Sequence, residues 1–347
     1  MSILDTDLKL RRVLLRPLII FAALFVITVN VHGQCDLDQS ELTWLEGTIR
    51  VWKAVRSQSL HLPELKLPSL IVFNDKCVLN IDPDLKFLTQ TGVKPEMMTL
   101  SDETVTVTRS LHYGKITLPD KKVIPAQLIS FAADYNNHKS SFFVAALPSI
   151  WEKAEHLKAE KNVATLVRAV YVHELTHTYH RNFFARLDAV EKDLTGVDNF
   201  DDDIIQNTFG KDERFRQAYI NEIALANAAA DEPSLKKKKT AVKQLLSTIK
   251  KRRADFYIGE NKKFEEIEDI FLTMEGVANW AGYQAAIADG LSPKDASRLI
   301  RRGGKYWSQE EGILLFMIID PLLPKWQRIA FGRQRVSILD LLERAVR

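Results

Sequence analysis

LVRAVYVHELTHTYH, residues Leu166 to His180, sets three histidines and a glutamate into a run that is otherwise largely apolar. Each helical residue turns the chain by about 100°, so Leu166, Val170, His173, His177 and His180 share one narrow sector, with Glu174 beside it. Val163, Val167, Ala169, Val172 and Leu175 make the remaining faces apolar as well, which predicts a helix enclosed by protein rather than lying on its surface. Burying imidazoles and a carboxylate there is costly unless they are paired or hold a cation.

The spacing favours the cation. His173 and His177 stand one turn apart, so their ring nitrogens can converge on a single ion, while Glu174 points alongside toward a water on it. This HExxH pattern reads as two neutral imidazoles on Zn²⁺, with the metal lowering the pKa of its water and Glu174 accepting the proton. A catalytic zinc takes a third protein ligand. His180 points the right way but lies a full turn further on, which makes it a neighbour or packing residue. Glu222 in AYINEIALANAAAD and Glu275 in FLTMEGVANWAGY are the alternatives, and Glu275 is preferred. It sits among Ile267, Ile270, Phe271, Met274 and Ala278, which mark a buried face, and Gly276 beside it permits close approach of another backbone.

Working outward, the segments before this helix read as strands: Leu70–Phe73, Cys77–Ile81, the alternating Thr104–Thr108, a stretch from Gln127, and Phe142–Leu147, closed by Pro148. A helix is expected over Asp38–Arg56 and another over Trp151–Lys161. From Val163 onward helices dominate. Strands first and helices second predict an α+β fold rather than a doubly wound parallel sheet. Three parts are expected: residues 1–33, a strand-rich part over 34–182 that ends in the HExxH helix, and a helical part over 183–347 that supplies the third ligand.

HELTH followed at long range by EGVANW resembles the gluzincin-type zinc metallopeptidases, particularly bacterial proteins whose third-ligand helix reads E-G-x-A and then an aromatic residue. The resemblance implies His173, His177 and Glu275 as ligands, Glu174 as general base, and a zincin-like sheet with the HExxH helix beneath it. It covers two helices only. Asn279 stands where some gluzincins place an aspartate that orients a histidine, and no G-x-M-E-N-type substrate anchor is present, so aminopeptidase activity is not supported. Glu222 then becomes a supporting carboxylate, holding a histidine or an arginine. Tyr283 is the choice for oxyanion stabilisation, with Tyr179 and Tyr257 competing. The strand Ser140–Pro148 is a candidate rail for an extended peptide, or a plain sheet strand.

The chain has 347 residues, 46% of them apolar and 27% charged, ordinary values for a folded protein with a real core. A net charge of +3 leaves no nucleic-acid footprint, and the runs Lys236–Lys239 and Lys250–Arg253 read as solvated helix faces. Basic residues ahead of LIIFAALFVITV, Leu18 to Val29, read as a secretory signal peptide cut between Gly33 and Gln34, or as an uncleaved membrane anchor. Cys35 and Cys77 are then free to pair in an oxidising compartment, a bridge worth about 4 kcal/mol in the chain-entropy picture. The expected function is peptide-bond hydrolysis by an exported, periplasmic or extracellular enzyme acting on peptide or protein substrates. The alternative is a zinc-binding envelope protein, an assembly factor or binding module, that cleaves nothing.

Overall fold

The alternating and β-branched segments ahead of Pro148 form two sheets. In the computed structural model, which describes residues 35, 37–64, 67–82, 93–135, 140–194, 200–332 and 336–347, these strands are β1 (Ser69–Phe73), β2 (Cys77–Ile81), β3 (Glu96–Leu100), β4 (Glu103–Leu111), β5 (Lys115–Thr117), β6 (Val123–Pro125), β7 (Ser130–Tyr135) and β8 (Ser140–Ala146). Residues 1–33, where the signal peptide or anchor is expected, lie outside the described residues. Six strands make one mixed sheet in the order β3-β4-β2-β1-β8-β7, while β5 and β6 form a separate hairpin. Among the described strands only β1 and β8 pair in parallel, Ser69 opposite Phe142 through Phe73 opposite Ala146. Both are buried along nearly their whole length, as a central parallel pair requires.

The helices are α1 (Gln39–Ala54), α2 (Pro148–Trp151), α3 (Val163–His177), α4 (Arg181–Lys192), α5 (Ile204–Phe209), α6 (Glu213–Asp231), α7 (Leu235–Phe256), α8 (Phe264–Ala288), α9 (Pro293–Arg301), α10 (Trp307–Leu322), α11 (Trp326–Ala330) and α12 (Ile338–Val346). Apart from α1, all follow the strands, so the fold is α+β as the order of patterns predicts. Among the described helices none is long and apolar enough to cross a membrane.

α3 lies between the sheet and the helical half, packed on β7 and β8 on one side and on α1 and α8 on the others. Tyr171 anchors it to the sheet by donating its hydroxyl to the Ala146 carbonyl at 3.0 Å. α8 is enclosed between α3 and α10. Both crossings rest on small residues. A methyl group on Gly276 would sit 2.7 Å from the Gly312 carbonyl oxygen of α10, and one on Gly282 would sit 3.0 Å from the Ala169 carbonyl oxygen of α3. The close approach expected at Gly276 is therefore present, and its partner is α10.

Several expectations change. The helix expected over Trp151–Lys161 is instead the short α2 and a 3-10 turn at Glu155–Leu157, because Ala154 is extended and interrupts the helical period. β8, the candidate substrate rail, has β1 on one side and β7 on the other, so neither of its edges is free; β7 is the sheet's edge strand at that end. Arg252 and Arg253, expected on a solvated face, are 2% and 5% exposed. Lys238 is also buried and donates to the Ala229 and Ala230 carbonyls. Cys35 and Cys77 are joined by a disulfide that ties the start of the described chain to β2.

Candidate metal centre

α3 ends at His177, and the next residues tighten into a 3-10-like turn: the amides of Tyr179 and His180 bond to the carbonyls of Thr176 and His177 at 3.0 and 2.8 Å. Within the helix, His173 and His177 project toward α8, and their Nε2 atoms stand 2.9 Å apart. Glu275, mid-way along α8, meets both: Oε2 is 3.3 Å from His173 Nε2 and Oε1 is 3.2 Å from His177 Nε2. One ligand atom from each of these three residues lies within 4.8 Å of the others, an arrangement that could hold a metal ion.

The donor chemistry supports that reading. Three groups meet through their lone pairs, which repel unless a proton or a cation lies between them. Bonds of about 2.0–2.2 Å to a tetrahedral zinc put ligand atoms roughly 3.3 Å apart, and the observed separations fall at or a few tenths of an ångström below that value. The charges respond to the same convergence. Burial opposes ionisation of Glu275, but His177 and His173 overcome it and hold the carboxyl well below the usual carboxylate range. For His173, burial disfavours the cation, yet Glu275, with Glu174 and Asp202 behind it, raises the pKa.

His180 sits closer than an uninterrupted helix would place it. The turn after His177 brings its Nδ1 to 3.1 Å from His177 Nδ1, and its ring stacks on Phe331 at 5.0 Å. Burial and the neighbouring His177 push its pKa well down, so it is neutral. With His177 Nε2 left free for an ion, the proton would sit on Nδ1 and be donated to His180 Nδ1, fixing the ring orientation.

Beside the cluster lies a cavity of about 100 Å³ whose wall includes His173, Glu174, Ser130, Asn279, Arg302 and Gln309. Glu174, 8% exposed, thus shares a cavity with His173. Ser130 begins the edge strand β7, so the sheet edge reaches the same cavity. Gln309 donates through Nε2 to Asp202 Oδ2 at 2.9 Å. Burial and the charge of Glu275 push the Asp202 pKa up to about 7.

The other expected residues lie elsewhere. Tyr283 lines a larger cavity of about 970 Å³ together with Trp280, Met317 and Asp320. Eight helical residues beyond Glu275 amount to about 80° of rotation, and Gly282 is the residue that meets α3. Tyr179 directs its hydroxyl to the Pro63 carbonyl. Glu222 is fully buried and accepts two hydrogen bonds from Arg252 Nε at 2.9 Å; it holds an arginine, as one of its expected roles had it, within a separate ion network. That network continues through Arg252 to Glu268 (2.9 Å), Arg253 to Glu268 (2.7 Å) and Tyr257, which donates to Glu268 at 3.0 Å.

Asp202, Arg302 and Gln309 carry no signal of their own in the sequence. DNFDDD and RRGGK read as connections, and no spacing relates them to HELTH. No family model, curated protein or solved structure matches the chain.

Proposed function

We propose that the protein is an exported zinc-dependent metallopeptidase of the gluzincin type, built on a zincin-like fold. The observation that carries this reading is the convergence of His173, His177 and Glu275 from two helices, with Glu174 on the wall of the adjoining cavity. A purely structural ion would need no such carboxylate. The basic, then apolar, leader and the Cys35–Cys77 bridge support export.

Zinc bound by the three ligands would supply Lewis acidity, lowering the pKa of water and polarising a carbonyl. The rest of the chemistry belongs to the chain. Glu174 takes a proton from the attacking water and passes it to the departing amide nitrogen. His180 holds the His177 ring in place through Nδ1. The edge strand β7, which reaches the cavity at Ser130, is where an extended peptide or protein substrate would add to the sheet.

A second reading, a zinc-binding envelope protein without turnover, draws on the size of the cavity: about 100 Å³ is small beside ordinary ligand pockets. Glu174→Gln separates the two. Under the peptidase reading the variant keeps stoichiometric zinc and loses about 10²–10⁴-fold in turnover of a peptide pool, the usual weight of a positioned acid–base group. Undiminished cleavage by that variant would overturn the mechanism, and a zinc-loaded wild type that cleaves nothing would favour the second reading.

A further inference from the structure

The wall of the cavity beside the metal centre carries one buried hydrogen-bond donor without a partner among the described residues, and one exposed guanidinium. Asn279, one turn beyond Glu275 on α8, is 7% exposed, and its Nδ2 has no partner among the described residues. Buried amide donors are nearly always paired, so an orphan of this kind marks a place where an acceptor belongs. Arg302 lies on the same cavity. It is exposed to solvent over much of its side chain, and the part that enters the wall loses enough water to lower the pKa of its guanidinium. No carboxylate among the described residues pairs with it, although Arg301 next to it is clamped to Glu310 and Arg298 bonds to Glu160.

The backbone at Arg302 adds to this. Its φ of 47° and ψ of 34° are left-handed, and Gly303 and Gly304 continue with positive φ. A left-handed residue at this place is a usual way for a helix to end, and it turns the chain sharply after α9. Here it aims the segment after α9 at the metal cavity. Arg302 is the only arginine or lysine on that wall among the described residues, which also carries Glu174.

We propose that Asn279 and Arg302 form a carboxylate subsite that captures the C-terminal carboxyl group of a peptide, which would make the enzyme act from the carboxyl end of its substrates. This rests on the peptidase reading for the reaction and goes beyond it in naming the substrate class. A guanidinium offers a planar fork that matches a carboxylate, and an amide N–H adds a directed third donor. A volume of about 100 Å³ suits the end group of a chain better than a long stretch of it. Asn279 also gains a function as a donor that an aspartate at the same place could not perform.

The test uses the zinc-loaded full chain carrying Glu174→Gln, so that nothing is consumed, and a pool of N-acetylated tripeptides made once as free acids and once as C-terminal amides. Equilibrium dialysis read by mass spectrometry should show the acids bound at least tenfold more tightly than the amides. Adding Arg302→Gln should erase that ratio, Arg302→Lys should keep part of it, and Asn279→Leu should reduce it. Equal binding of acids and amides, no binding of either at millimolar concentration, or a ratio that survives Arg302→Gln would overturn the subsite.

Wild-type cleavage separates the two levels of the argument. Selective binding of acids without any hydrolysis leaves the subsite standing and removes the peptidase reading. Hydrolysis of acids and amides at equal rates, slowed equally by Arg302→Gln, keeps the peptidase, assigns Arg302 to the oxyanion and overturns the carboxylate site.

Discussion

Glu268 and Glu275 sit two turns apart on α8, both buried, and meet opposite kinds of partner. Glu268 is enclosed by Arg252, Arg253 and the Tyr257 hydroxyl. The guanidinium charges are permanent, and although burial works against the carboxylate they keep its pKa below the usual value. Glu275 faces two imidazoles, whose charge is conditional. The first cluster carries its own cations; in the second, once each imidazole is neutral with its proton on Nδ1, the atoms that face one another can all only accept. That contrast separates a buried polar group that holds helices together from one arranged around something the chain does not supply.

Removing the carboxylate from the second cluster gives the largest effect. Glu275→Ala should lose stoichiometric zinc, and with it the thermal stabilisation that zinc confers on the wild type, about 4 kcal/mol when the free metal is a thousandfold above its Kd. Metal analysis alongside calorimetry measures both, and full zinc occupancy in the variant would break the comparison. Next comes the first cluster. Arg252→Met leaves Glu222 and Glu268 short of their shared cation, and breaking a buried pair in this way costs about 3–5 kcal/mol. Denaturant unfolding should show that loss while zinc affinity stays near wild type; a cost under about 1 kcal/mol would mean the network is dispensable.

The smallest effect is a pH slope. Burial, reinforced by Glu222, pushes the Glu311 pKa up to about 8, and burial pushes Glu222 up to about 7 against the pull of Arg252. Asp202 at about 7 and Asp269 at about 6 move the same way. These groups hold protons in the folded state that the unfolded chain releases near its ordinary carboxylate pKa. Their stabilisation is therefore complete below about pH 4.5 and is lost as pH rises through 6 to 8. The melting temperature of the metal-free protein should fall across that window, and Glu311→Gln should flatten the fall. A melting temperature that rose toward pH 8 would contradict the protonation assigned to the network.

What the sequence made legible follows from what is periodic. α3 and the burial of its histidines follow from helical spacing and apolar neighbours, and Glu275 stands out because α8 is apolar around it. β3 escaped because Met97 and Met98 lack the β-branched signature, and the β5–β6 hairpin because its strands are three residues long. The basic run around Arg252 looked solvated because its partners, Glu222 and Glu268, come from other helices. Arg302 reaches the cavity, and Asp202 reaches Gln309 on its wall, only through the packing of turns, which leaves no spacing to read.

The glycine crossings of α8 have a bearing on which ion the cluster accepts. Gly282 brings α8 against the Ala169 backbone of the histidine helix, and Gly276 presses the other side against Gly312. The spacing of the α3 and α8 backbones is thus set at Gly282 by backbone touching backbone, and the side-chain methylenes of His173, His177 and Glu275 span what remains. Calcium takes six to eight oxygen ligands, whereas this cluster offers three groups, two of them imidazoles. The helix crossing therefore fixes where the ligands start, and their chemistry decides what they could hold.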